Sequence, residues 1–347
     1  MKTSLDKFKH DLLNGVLSLL WRQWSLLGIP GQQTETSKKS ADRFIIDPEA
    51  LLLVTSELGR FDARLFDEAL NWLRQFGKLV NIQRLKGILQ THALGNRQVL
   101  AAMASTVLEN GRLSKWSAIE SLGEKREGCE SVFRNSDGAP APIFGKSDLH
   151  FRKFGLFRGE SPARTNAMAP KVGSHPDLLL IKLRALLGVN ARAEIIAALL
   201  SLQVAHPSAL ARRISYLPRS VQDTLNEMAL SGHVTSERSR EKYFSLRPGD
   251  WSFLMTWAAP GPQSVPRFPR WIDWTVVFAL LQDTITLLYG DEFVKATPLM
   301  AALRLREIYE RHSPKLAETG LAENFINTSQ RTGLEFLESF LAELTAF

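Results

Sequence analysis

The fold is decided by residues 190–246, which read NARAEIIAALLSLQVAHPSALARRISYLPRSVQDTLNEMALSGHVTSERSREKYFSL. Asn190 is a residue type that caps helices, and apolar residues recur at helical spacing from Ile195 onward. The pattern predicts a first helix that ends before His206-Pro207.

Two further helices follow, with a tight turn at 215–217 between them. Residues 208–214 predict a short helix, and Pro218 suits the first position of the next one, where its missing N–H is not needed. That third helix ends near Gly232. Its predicted buried residues are Val221, Leu225, Met228 and Ala229.

The pattern then changes from helical spacing to short runs of strand-forming residues. Residues 234–238 and 242–246 are β-prone and flank a polar tip at 239–241, which predicts a hairpin. The order helix, helix, turn, helix, hairpin is the layout of a winged helix-turn-helix domain.

These residues resemble the winged-helix transcriptional regulators of the broad ArsR and MarR type. The resemblance rests on LGVNARAEI at 187–195, the Leu210-Ala211 pair, VQDTL at 221–225, and SGHV at 231–234 before a basic hairpin that closes on YFSL. It covers about 60 of the 347 residues. It implies binding to double-stranded DNA as a dimer, because a two-fold protein matches two half-sites one helical turn apart.

The predicted DNA-binding side chains fall on three elements. The outward face of the third helix should read base edges in the major groove, with Arg suited to guanine and Gln or Asn to adenine. The preceding helix and the wing supply cations for phosphate or minor-groove contact. The predicted DNA-binding residues are Arg212, Arg213, Arg219, Ser220, Gln222, Asn226, Arg238, Arg240 and Lys242. Asp223 departs from this positive surface and would meet a cytosine amine or a neighbouring Arg, or be structural.

We predict a mainly α protein with a small β-hairpin wing. Helices at about 5–27, from Asp47-Pro48, at 62–76 and at 97–110 form a helical N-terminal domain, residues 1–126. Residues 127–174 are expected to be a linker or extended arm, 175–250 the winged helix-turn-helix domain, and 251–347 a helical C-terminal region. That last region contains predicted acidic helices at about 274–289, 298–312 and 332–344, and either helical region is a candidate for dimerisation.

The charge distribution suits a phosphate-rich partner. The chain has a net charge of +7, of which residues 271–347 contribute −5 (6 Lys/Arg against 11 Asp/Glu) and residues 1–270 contribute +12 (37 against 25). A solvated surface would give the same numbers. We expect no membrane span and no secretory signal, and therefore a cytoplasmic protein.

Motifs for catalysis are missing from the sequence. It has no His-Glu-x-x-His, no Cys-x-x-Cys, no phosphate-binding Gly-Lys-Ser/Thr loop and no dinucleotide glycine pattern. We therefore expect a non-enzyme without a cofactor or metal site.

Three functions are compatible with these observations. The first is a sequence-specific regulator that binds double-stranded DNA as a dimeric repressor. The second is a protein-interaction module, such as an antitoxin-like or adaptor partner of a neighbouring gene product, held by the acidic C-terminal helices. The third is an accessory factor that binds single strands through Phe144, Phe151, Phe154 and Phe157 among basic residues. Those phenylalanines could equally pin an extended arm onto a neighbouring domain.

Overall fold

The computed structural model describes residues 2–31, 43–109, 111, 113–128, 130–160, 170, 175–238, 241–255, 268–290, 293 and 297–316. Within these ranges the protein is mainly helical, with a small antiparallel three-stranded sheet. No helix in these ranges combines the length and apolar character needed to cross a bilayer.

Residues 2–109 fold into helices that share one core. Their bounds are α1 Lys2–Leu26, α2 Pro48–Leu58, α3 Ala63–Phe76, α4 Ile82–His92 and α5 Arg97–Leu108. The side chains of Asp47, Asp62, Asn81 and Asn96 accept backbone N–H groups at the starts of α2 to α5. The helices predicted in this region are confirmed, and α4 is additional to them.

The following segment packs onto this helical domain. It contains α6 (Ser117–Glu120), β1 (Glu130–Ser131), α7 (Leu149–Arg152) and β2 (Leu156–Phe157), and β1 pairs with β2 in parallel. Phe151 and Phe154 are buried in the core formed by α1 to α5. These two phenylalanines therefore anchor the segment.

Residues 179–245 form the region that the sequence pattern singled out. Its elements are α8 Leu179–Leu187, α9 Ala191–Leu202, β3 Val204–Ala205, α10 Pro207–Ile214, α11 Pro218–Leu230, β4 Thr235–Arg238 and β5 Lys242–Ser245. The hairpin β4–β5 forms as predicted. The short strand β3 was not predicted; it pairs with the other edge of β5, so the strand order is β3-β5-β4.

Two further helices follow, α12 (Trp274–Leu288) and α13 (Pro298–Leu316). Nearly all side chains of α12 are buried, and the helix packs against α1, α2, α4 and α13. The surface of this helix therefore completes the core of the helical domain. The association role of the C-terminal region stays a prediction. The predicted helix at 332–344 lies outside the described residues.

The helical domain and the helix–hairpin region are joined through α8. Ile181 on this helix packs into the first core, whereas Leu179, Leu180 and Leu183 pack into a second core with α9, α10 and α11. The two cores therefore meet at α8.

A group of buried charges bridges the two regions. The buried ion network consists of Asp47 and Glu49 on or before α2, Arg84 on α4, Arg184 on α8 and Glu194 on α9, each at most 3% exposed. Glu49 Oε2 lies 2.7 Å from Arg84 Nη1 and 2.7 Å from Arg184 Nη2. Glu49 therefore links the guanidinium group of the helical domain to that of α8.

The network also holds the end of α10. Arg84 Nε donates to the carbonyl of Ile214, the last residue of α10, at 2.7 Å, and Asn81 Nδ2 donates to the hydroxyl of Tyr216 at 2.5 Å. Burial acts to raise the pKa of Asp47, but the charge and hydrogen bonds of Arg84 outweigh it, so this pKa lies below its ordinary value. The carboxylate stays ionised and Arg84 keeps its partner.

We predict that Arg184→Leu lowers the free energy of unfolding by about 3–5 kcal/mol, because it leaves the carboxylate of Glu194 buried without a counter-charge and removes one of the two arginines that pair with Glu49. Arg192→Leu is the matched control, since Arg192 pairs with Glu227 at 2.5 Å on the surface and should lose less than about 1 kcal/mol. Urea denaturation of both variants measures the difference. Equal losses would contradict a structural role for the network.

Candidate nucleic-acid interface

The second core orients helix α11. Val221, Leu225 and Met228 are buried in that core, which leaves the opposite face of the helix toward solvent. Pro218 begins the helix, and Ser215 in the turn before it adopts the left-handed conformation (φ 57°). This tight turn directs α11 away from α10.

The outward side of α11 carries the predicted base-reading residues. Arg219 is 95% exposed, Ser220 and Asn226 are exposed, and Gln222 is half-buried. Gln222 Nε2 donates to Asn226 Oδ1 at 3.3 Å. The structure thus brings four predicted residues onto one solvent-facing helix surface.

The hairpin lies beside this surface and contacts it. Lys242 Nζ donates to Asn226 Oδ1 at 2.7 Å and lies 4.9 Å from the centre of the Phe244 ring. Arg238 is in β4, paired with Lys242, but its side chain lies outside the described part of the chain, as does all of Arg240.

Carboxylates are interspersed among these cations. Asp223 Oδ2 lies 4.0 Å from Arg219 Nε, and both groups are well exposed, so this contact is weak. Glu227 pairs with Arg192 of α9 at 2.5 Å. The surface is therefore polar with mixed charge, and the geometry around Asp223 fits the neighbouring-Arg alternative.

The remaining predicted residues, Arg212 and Arg213, lie on the last turn of α10. Both line a cavity of about 1130 Å³ that α10 and the turn before α11 form with α4, α12 and α13. Ser220 of α11 also lines it. These two arginines and the first turn of α11 thus share one cavity wall.

Helix α4 supplies the opposite wall, which sequence reasoning missed. Lys86 and Gln90 line the cavity from α4, and Lys315 lines it from α13. Ser215 Oγ is buried at the cavity wall and has no hydrogen-bond partner among the described residues. The sequence around α4 does not predict this wall, because the wall forms only where α4 and α10 meet in the folded chain.

The pKa of His92, at the end of α4, depends on the burial and the positive charges around this cavity. Burial is the first cause of a lowered pKa for His92, and the positive charges of Lys315 and Arg84 add to it, which brings the pKa to about 4. Its imidazole is therefore neutral at pH 7.

The segment of basic and aromatic residues is not arranged for stacking on single strands. Phe151 and Phe154 are buried, and Arg158 Nη2 is paired with Asp67 Oδ1 at 2.8 Å. Phe144 alone of the described phenylalanines in that group is largely exposed, at 78%. Stacking on unpaired bases needs open ring faces, which the two buried rings lack.

Comparison with known proteins gives no relative: no protein-family model matches the chain, and no curated protein or solved structure shows significant similarity to it. Among the described residues, no three His, Cys, Asp or Glu side chains are grouped as metal ligands would be.

We predict that His92 titrates near pH 4 rather than at its ordinary 6.5, which an NMR titration assigned with His92→Gln measures. Below pH 6.5 the unfolded chain takes up a proton that the folded chain does not. Stability should therefore fall as the pH drops from 6.5 toward 4. The His92→Gln variant should show a smaller fall over that window. An imidazole signal that titrates near 6.5 would contradict the prediction.

Proposed function

We propose that the chain is a sequence-specific regulator that binds double-stranded DNA through a winged helix-turn-helix domain formed by α9 to β5. The observation that carries the proposal is the solvent-facing side of α11, with Arg219 95% exposed, next to a hairpin that supplies Lys242. The element order, helix, strand, helix, helix and hairpin, supports it. A regulator of this kind works in the cytoplasm of a prokaryotic cell.

In this proposal α11 enters the major groove. Arg219 lies in the first turn, from which recognition helices contact bases, and its guanidinium suits the O6 and N7 atoms of guanine. Gln222, one turn later on the same side, suits adenine. Asn226 Oδ1 already accepts from Gln222 and Lys242, so its NH₂ group is the part left to donate to a base.

The cations around α11 serve the DNA backbone in this proposal. Lys242 in the wing contacts Asn226 of α11, so its ammonium group lies beside the helix surface that would face DNA, where it suits a phosphate. Arg238 and Arg240 stay predicted phosphate contacts from their places in the sequence. Arg212 and Arg213 lie on the last turn of α10 and form a second basic group beside the first turn of α11.

We predict that Arg219→Ala and Gln222→Ala each weaken specific binding by about 1–3 kcal/mol, or roughly fivefold to 150-fold, because each removes a base-edge contact. Fluorescence anisotropy with a labelled duplex from upstream of the protein's own gene measures this. A shuffled duplex of equal length gives the non-specific reference.

Two variants separate base reading from charge. Arg219→Lys keeps the charge but loses the two-pronged contact to guanine, so it should lose preference for the upstream duplex while retaining non-specific affinity. Arg306→Ala removes one exposed charge on α13, far from α11 in sequence, and should leave the preference unchanged. If both alanine variants of α11 bind with the wild-type preference, the assignment of α11 is wrong.

We predict that the protein is a homodimer at micromolar concentration, because a two-fold arrangement matches two half-sites about 34 Å apart. Sedimentation equilibrium measures the mass directly. A monomer of 38.9 kDa throughout the micromolar range would contradict dimeric binding.

A second candidate is an interaction module for the product of a neighbouring gene, in the manner of an antitoxin or adaptor. The observation that favours it is the exposure of two leucines at the ends of α11, Leu217 at 77% and Leu230 at 89%. Exposed apolar side chains of this size are common in protein interfaces. Stoichiometric co-purification with the neighbouring gene product, together with no duplex affinity, would favour this candidate over DNA binding.

A further inference from the structure

The cavity between α4 and α10 has a basic lining. Lys86 comes from α4, Arg212 and Arg213 from α10, and Lys315 from α13, so cationic side chains enter from three elements. Arg84 also lines it, but Asp47 and Glu49 of the buried ion network already balance its charge. The other cationic side chains of the lining lie outside that network.

Negative charge on the lining is small. Among the described residues that line the cavity, the one carboxylate is Asp273. Burial raises the pKa of Asp273, and nearby Asp47 adds to this, although hydrogen bonds from Thr275 and the charge of Arg84 oppose it. The cavity is therefore a region of positive potential in which an anion is favoured.

The cavity also has uncharged walls and hydrogen-bond donors. Val189, Ala191, Ala209 and Val276 contribute apolar surface, and the buried hydroxyl of Ser215 lacks a partner among the described residues. Its volume of about 1130 Å³ is slightly above the range of about 300–1,000 Å³ that is usual for small-molecule sites. An apolar lining with a few convergent polar groups is typical of ligand pockets rather than of a surface that follows a DNA backbone.

We propose that this cavity binds a phosphorylated small molecule of nucleotide size. Its phosphates meet Lys86, Arg212 and Lys315, and its uncharged part lies against the apolar wall. Charge-assisted hydrogen bonds from Lys and Arg to phosphate are the strong contacts in such a site.

The position of the cavity gives the ligand a regulatory effect, which rests on the proposed function. Leu217 and Ser220 line the cavity and flank Arg219 at the start of α11. A bound phosphate would neutralise Arg212 and place negative charge beside the DNA-reading turn. The ligand should therefore weaken binding to duplex DNA.

Titration calorimetry with the full chain in the absence of DNA tests the site. The probes are ATP, inorganic pyrophosphate and uncharged adenosine. We expect saturable binding of ATP with one site per chain, weaker binding of pyrophosphate, and adenosine at least tenfold weaker than ATP.

Variants assign that binding to the cavity. Lys86→Ala and Arg212→Ala should each weaken ATP binding about tenfold or more, because each removes a charge-assisted contact. Lys125→Ala is the matched control, an exposed lysine that does not line the cavity. Thermal unfolding of each variant confirms that it is folded before titration.

The outcomes separate this proposal from the proposed function. If neither ATP nor pyrophosphate binds at millimolar concentration, or if Lys125→Ala weakens binding as much as Lys86→Ala, the site is overturned. Loss of duplex affinity in Lys86→Ala without any ATP binding would assign the basic lining to the DNA backbone instead. If ATP binds through the cavity but the chain has no duplex affinity, the site stands and the DNA-binding function fails.

Discussion

The contact between Glu49 and two arginines is the constraint on which the arrangement of the whole chain depends. Glu49 comes from α2, Arg84 from α4 and Arg184 from α8, and all three are essentially inaccessible to water. A buried charge without its partner is strongly unfavourable. The helical domain and the helix–hairpin region therefore cannot separate or rotate past each other without exposing or stranding charges. We infer that the network fixes one orientation of α10 and α11 on the helical domain.

The short-range part of this fold was readable from sequence. The signals for these elements act within a few residues: helix caps such as Asp47, the spacing of Val221 and Leu225, and the change from helical to strand patterning. The helices and the hairpin could therefore be placed. The pairing of Glu49 with Arg184 could not, because 135 residues separate them and a charged residue inside a helix pattern normally indicates solvent. β3 was missed because two residues are too few to show a period.

The candidate site also has one part that the sequence predicts and one part that it does not. The face of α11 follows from helical geometry once its buried residues are known, and Arg219, Ser220 and Asn226 are exposed where that geometry puts them. The cavity was unreadable because its walls come from α4, α10, α12 and α13, and no local pattern announces such a meeting. Assigning Arg212 only to DNA phosphate followed from treating α10 apart from α4. In the folded chain, the meeting of α4 and α10 places Arg212 on the wall of the cavity as well as beside α11.

For the proposed DNA-binding function a rigid connection between the two regions matters, because dimeric regulators hold two recognition helices at a fixed separation. With a flexible connection, each α11 of a dimer would bind a major groove independently of the other. The geometry of the dimer would then add little to the sequence specificity of DNA binding. Here Arg84 ties the end of α10 directly to α4 through the Ile214 carbonyl. Any two-fold contact made by the helical domain would therefore be transmitted to α11 as a defined spacing. The buried ion network, rather than the apolar core alone, fixes that spacing. Packed apolar surfaces can shift against each other, whereas buried paired charges cannot shift without losing their partners.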